Sequence, residues 1–362
     1  MGGSKRPPSA AAVPVSGADV PSGDGFVQRA ARALNLGRLA SLRIGGLLIV
    51  IVAVMVVFSL VNSAFASPAN FLGLLRAMST LAIVALGETL VIVSGELDLS
   101  IGSTYGLAST LMAVAWIEWK VPVYIAIPMA LIAACGIGGF NAFFTTVLRI
   151  PSFIVTLGSL SIVQGLTLLL SNSQTFNAAY AEPPVNPGQL AFFTGLSNIP
   201  LPLGLPAQVV WLAILAVIFF VLLHRSLFGF RLLAIGGNQQ AAQLARLPVR
   251  KYKLIAFVIC GVMAAIASIL DFAFIGTTQP NAGESLTFPV FAAVIIGGAS
   301  LSGGRGTVFG TLMGSLLLAV LANGLALIGG GSFVQLLFIG TVTIGAVALD
   351  RWSSSWRRVA TA

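Results

Sequence analysis

A small set of polar side chains lies inside otherwise apolar stretches of this 362-residue chain: Glu88, Asp98, Ser100, Asn141, Thr156, Ser159, Ser161, Gln164 and Asp271. Hydroxyls, carboxamides and a few carboxylates, with no cation among them, suit hydrogen bonding to a neutral, polyhydroxylated solute. A second chemistry is proton carriage by Glu88 or Asp98. An ionisable group within a membrane span costs about 2.5–3.5 kcal/mol and marks a task or a partner. Structural roles compete with both, since Asp98 and Ser100 are helix-capping residue types just ahead of an apolar run. No Ser/His/Asp grouping or metal-ligand spacing occurs. The close carboxylate pair, Glu96 and Asp98, has no basic or nucleophilic partner nearby in sequence, so no catalytic site is expected.

The elements that hold these residues follow from composition. Hydrophobic residues make up 57% of the chain and charged residues 8%, against roughly 25% charged in soluble domains. Such a chain has lipid as its main solvent. The apolar runs are long and continuous rather than alternating, so the expected fold class is an all-α polytopic membrane protein. Ten spans are expected, at 44–66, 71–94, 101–117, 122–148, 152–170, 209–224, 254–275, 289–300, 307–328 and 333–349, the eighth being short and broken or tilted. Residues 1–43, rich in Ala, Ser, Gly and Pro with scattered cations, read as a disordered basic cytoplasmic tail with a short amphipathic helix near 26–39. Residues 44–350 form the transmembrane domain, and 351–362 a second basic cytoplasmic tail.

Charge placement orients the spans. With both termini inside, all of the 19 Lys and Arg residues except Arg76 and Lys120 fall on the inner side, which matches positive-inside bias. This explains the net charge of +9 better than nucleic-acid binding does, because no dense cationic run exists outside one loop. The polar loop 171–206 then lies outside. Cys135 and Cys260 sit within spans, which disfavours a disulfide or metal site. His224 reads as an interfacial residue.

Glycines punctuate the spans. Gly306, Gly310 and Gly314 form a small-residue ladder that lets a neighbouring helix approach closely. No G-x-x-x-x-G-K-[ST] motif occurs, so no Walker-type ATP site is expected. The pattern G-x-x-x-L-S-x-G appears at 95–102 and again at 297–304, an echo of the interrupted helices found in duplicated transporter halves. The Gly-flanked break at 95–102 is suited to presenting polar side chains and helix ends to a passing solute.

The inner loop 225–253 is basic and helix-capable, reading GGNQQAAQLAR over 236–246. Together with GELDLSIG (95–102), PSFIVTLG (151–158), AIGGN (234–238) followed by Ala241-Ala242, and IGGASLSGGRGT (296–307), it resembles the permease subunits of bacterial ATP-binding cassette (ABC) importers for monosaccharides, the ribose/xylose/arabinose/autoinducer-2 group. The likeness runs from about residue 45 to 352. It implies a ribose-permease-type fold in the inner membrane and a pore of two permease subunits, read as a homodimer. It also implies ATPase subunits supplied as separate chains that carry the ATP and Mg²⁺, no cofactor on this chain, and an extracytoplasmic sugar-binding protein. Gly237, Asn238, Ala241, Ala242 and Arg246 take the place of the coupling helix that docks on the ATPase. Glu88, Asp98, Ser100, Asn141, Thr156 and Gln164 become candidates for the translocation path. Two departures stand out. Ala245-Arg246-Leu247-Pro248 replaces the family's usual Ser-Gly-Ile, which suggests a charge pair with a particular ATPase, and Thr287-Phe288-Pro289 stands where an acidic run is common. An ion-coupled secondary transporter and a branched-chain amino-acid permease are the competing readings.

Overall fold

In lipid the backbone must satisfy its own hydrogen bonds, so each long apolar run folds as a helix and each Gly-, Pro- or Asn-rich break becomes a turn. The computed structural model describes Gly2 and residues 45–359, so the expected tail 1–43 and its amphipathic helix lie outside the described residues. The first helix among the described residues is α1 (Gly45–Val61). Ser67 caps α2 (Pro68–Val93), its Oγ accepting from the Asn70 N–H, with Pro68 in the first turn where its missing N–H costs nothing. Gly95, at φ +85°, turns the chain into α3 (Ile101–Ala113), which runs on through a wider turn at Val114–Glu118. Helices α4 (Val123–Thr146) and α5 (Ser152–Ser171) follow.

The segment expected as an outer loop carries structure of its own. Strand β1 (Phe176–Asn177) pairs antiparallel with β2 (Thr277–Thr278), Phe176 opposite Thr278. Helix α6 (Pro187–Asn198) is capped by Asn186. It buries Phe193 edge-on against Trp116 and Phe272. It is too short and too polar for a span, and its burial depends on partners distant in sequence.

Helix α7 (Ala207–Phe220) continues through a wide turn to Arg225. The segment expected as an inner loop then proves to hold two helices, α8 (Leu227–Gly237) and α9 (Gln239–Leu244). Helices α10 (Val249–Ile275), α11 (Thr287–Ile296), α12 (Val308–Leu327) and α13 (Gly331–Val359) complete the chain. Thus α13 stays helical through most of the segment read as a second tail. Among the described residues, six helices are long and apolar enough to cross a membrane, and α1, α8, α11 and residues 333–345 of α13 are shorter apolar helices.

The core is the crossing of α2 and α10, where residues 79–93 of α2 are buried throughout. Small residues permit this closeness: a Cβ at Gly138 would overlap the Phe257 carbonyl, and one at Gly261 the Ala134 carbonyl, so α4 and α10 meet backbone to backbone. Large apolar side chains instead cover the outward faces, among them Ile49, Leu60, Leu169, Phe333 and Leu337.

Candidate functional site

Position along the bundle can be read from α10, which runs its length. Lys253 near its start meets Glu96, Cys260 near its middle meets Glu88, and Ser268 toward its end donates to the Tyr105 carbonyl at 2.6 Å. Helix α3, whose first residue lies one turn before Tyr105, therefore starts in mid-bundle. The turn 94–100 climbs back from the α9 end to reach that point. From the opposite end, residues 276–286 descend beside α3. Thr278 Oγ1 and Ser109 Oγ are 2.8 Å apart, and Gly106 and Gly102 leave room for Pro280 and Gly283. Gly102 and Gly283 admit no side chain at either position, because a Cβ on one would overlap the other's carbonyl. Helix α11 starts there, at Thr287. Two helices thus begin side by side in mid-bundle and run to opposite ends, with their unpaired N–H groups and positive dipole ends converging. An acidic residue precedes each, Asp98 before α3 and Glu284 before α11.

The sequence candidates divide between these two starts. Glu88, Asp98, Ser100, Asn141 and Thr156 are all buried. Asp98 Oδ1 accepts from Ser100 N (3.0 Å), Ser100 Oγ (2.6 Å) and Asn141 Nδ2 (3.3 Å). Asn141 Nδ2 also reaches Ser100 Oγ at 2.8 Å. Glu88 accepts from the Asp98 N–H and from the Cys260 thiol, both at 3.3 Å. Thr156 Oγ1 donates back to the Ser152 carbonyl (2.8 Å), with the Leu97 carbonyl at 3.4 Å. These five hold the turn 94–100 in place. Gln164 is elsewhere, on a half-buried face of α5, where its carboxamide donates to the exposed Glu284 carboxylate. Asp271 accepts from Tyr105 (2.6 Å) and Thr80 (2.8 Å), closer to the α6 end.

At the opposite end the glycines of the turns share one crossing. A Cβ at Gly236 would overlap the Val93 carbonyl, and Gly303 and Gly304 pack on Gly95, Gly236 and Gly237. The Gly304 N–H closes the junction by donating to the Val93 carbonyl at 2.9 Å. The two G-x-x-x-L-S-x-G segments meet here through Gly95 and Gly303, yet they are not equivalent, since Gly102 lies in mid-bundle and Gly304 at the end. In the ladder, Gly310 and Gly314 face the α11 carbonyls of Gly297 and Ala293, while Gly306 precedes α12 and touches Val93 and Thr89.

Beside the crossing stands α9, started by Asn238, whose side chain accepts from the Ala241 N–H. Arg246, at φ +57°, turns the chain away just after it. Gly237 lies before α9, as the last residue of α8. Ala242 is buried against the bundle core, whereas Gln240, Ala241 and, at 87% exposure, Leu244 face outward. The outward surface of α9 is therefore not the one on which Ala242 sits.

Sequence reasoning left Glu96, Lys253 and Glu284 without roles. Lys253 pairs with Glu96 and is only 4% exposed. The partner missing near Glu96 in sequence arrives from 157 residues away. The place of Lys253 in the basic loop was its only sequence signal, and positive-inside bias accounted for it equally well.

A family model described as "Branched-chain amino acid transport system / permease component" matches residues 70–347. The chain is 36% identical over 300 residues to the ribose import permease protein RbsC of Bacillus subtilis (strain 168), covering 83% of this chain and 90% of that one. It is 31% identical to the xylose transport system permease protein XylH of Haemophilus influenzae, over 84% of this chain and 95% of the other. It is 35% identical to the autoinducer 2 import system permease protein LsrD of Enterobacter sp. (strain 638), over 69% and 74%. With several membrane-length helices, a matched family model over most of its length and relatives that are permease components, this chain belongs to the ABC-importer permease family of branched-chain amino acid transport system / permease components.

Proposed function

We propose that this chain is the membrane-spanning subunit of an ABC importer that admits a monosaccharide or a similar neutral polar solute by alternating access. The observation that carries the reading is the pair of helices, α3 and α11, starting side by side in mid-bundle. Discontinuous helices of this kind bring helix ends and polar side chains to the depth where transporters bind their cargo. On this reading Gln164 and Glu284 face the path, and Glu88, Asp98, Ser100, Asn141 and Thr156 brace the start of α3 behind it. The branched-chain amino-acid reading is the weaker one, because relatives matched over most of their own length carry the names of ribose, xylose and autoinducer 2 permeases.

Energy enters from separate ATPase subunits that hold ATP and Mg²⁺ and grip α9, while this chain binds no cofactor. A second copy completes the pore, and the apolar outward faces meet that copy and lipid. An extracytoplasmic binding protein delivers the sugar to the α6 end. Both termini and the 225–253 segment lie in the cytoplasm of a cell with this chain in its inner membrane.

Reconstitution tests the reading. Proteoliposomes holding the chain, its co-purifying ATPase and its binding protein are expected to take up d-ribose or another pentose only with ATP inside the compartment facing the ATPase. Accumulation by the chain alone under a pH gradient would establish the ion-coupled alternative instead.

A further inference from the structure

Lys253 makes contacts that its place at the end of a basic loop does not require. Its ammonium is buried, forms an ion pair with Glu96 in the turn 94–100, and donates to Gln239 Oε1 at 2.6 Å. Gln239 is the first residue of α9. One side chain on α10 therefore joins the helix that faces the ATPase to the turn that positions α3. The turn is held tightly at its other points, with Leu97 N–H donating to Ser152 Oγ at 3.2 Å and Asp98 fixed by Ser100 and Asn141. It has no slack to absorb a shift of Glu96. The ion pair also forms the floor of an open cleft of about 310 Å³, lined by Gln239 and Gln243 of α9, Thr145 and Arg149 of the α4–α5 corner, and Lys253.

We infer that Lys253 is a positioning residue for transport: through Glu96 and Gln239 it passes movement of α9 to the turn that carries the start of α3. A paired, desolvated cation is suited to this, because separating it from either partner exposes a buried charge and is opposed strongly. The glycine crossing adds a second, rigid contact between the turn and the end of α8 just ahead of α9, so the start of α9 and the turn move together rather than by bending. The inference rests on the coupling role proposed above for α9.

The test uses the full chain with the ATPase that co-purifies with it, in proteoliposomes, carrying Leu97→Cys as a reporter in the turn. In the parent protein, ATP with vanadate is expected to change the maleimide labelling rate of the reporter severalfold. With Lys253→Met the ATPase is expected to stay bound and to hydrolyse ATP, while the nucleotide-dependent change falls at least fivefold. The swap Glu96→Lys with Lys253→Glu should restore at least half of it, which loss of packing alone would not permit. Gln239→Ala keeps the ion pair and cuts only the tie to α9. It should reduce the change at least threefold, and it serves if Lys253→Met does not accumulate. An unaltered response in Lys253→Met, or in Gln239→Ala, overturns the inference while leaving the ATPase-coupled reading standing. A parent chain that holds no ATPase at all removes that reading instead.

Discussion

Asp98 shows how much one buried side chain can organise. Its carboxylate collects three donors from two elements, and each donor left unpaired in a buried setting costs about 1–3 kcal/mol. Asp98→Ala is expected to lower the stability of the detergent-solubilised chain by about 2–4 kcal/mol, since partial relaxation recovers some of the sum. Asp98→Asn keeps one acceptor oxygen and should lose about half as much. Thermal unfolding of both variants checks this, and an unchanged midpoint for Asp98→Ala would remove the bracing role. The types and positions of Asp98, Ser100 and Asn141 were legible in the sequence as polar groups in apolar surroundings. Their mutual bonding was not, because Asn141 is 43 residues from Asp98.

Among the elements, α9 shows how burial overrides composition. Six residues long, it is too short to be stable alone. Its Asn238 cap and the seating of Ala242 in the core hold it in place. Ala242→Trp would unseat the helix rather than block its outward face. The sharper probe is Leu244, a large apolar side chain left exposed on a short helix beside cations, as expected of an anchor that fills a partner's groove. Leu244→Glu should cut recovery of the ATPase on the purified chain at least tenfold, with membrane insertion and thermal midpoint unaltered. Full recovery would mean that the partner grips another surface. The existence of a helix here was readable from the QQAAQL composition, but its facing was set by the bundle around it.

For the molecule as a whole, the spans and their order were largely readable, and the arrangement of cations predicts the orientation. Single cysteines at Gln240 and Tyr180, both exposed, should react with an impermeant maleimide from opposite sides, Gln240 only after the inner face is opened. Reaction of both from one side would overturn the ten-span topology. The native thiols should interfere little: Cys260 is buried, and Cys135 is partly buried on the mid-helix of α4.

What the amino-acid order determined by itself is local. Run length and apolarity require helices, because lipid offers the backbone no partner, and Gly, Pro and Asn mark where those helices stop. Helices α6 and α8 escaped that logic, being short segments whose burial comes from distant neighbours. Only the tertiary structure decided that α3 and α11 begin together in mid-bundle, that Gln164 meets Glu284, and that Lys253 finds Glu96. Each of these joins residues more than a hundred positions apart, and no periodicity along the chain encodes such a meeting. Close backbone packing at paired glycines and the cost of an unpaired buried charge select it once the helices are assembled.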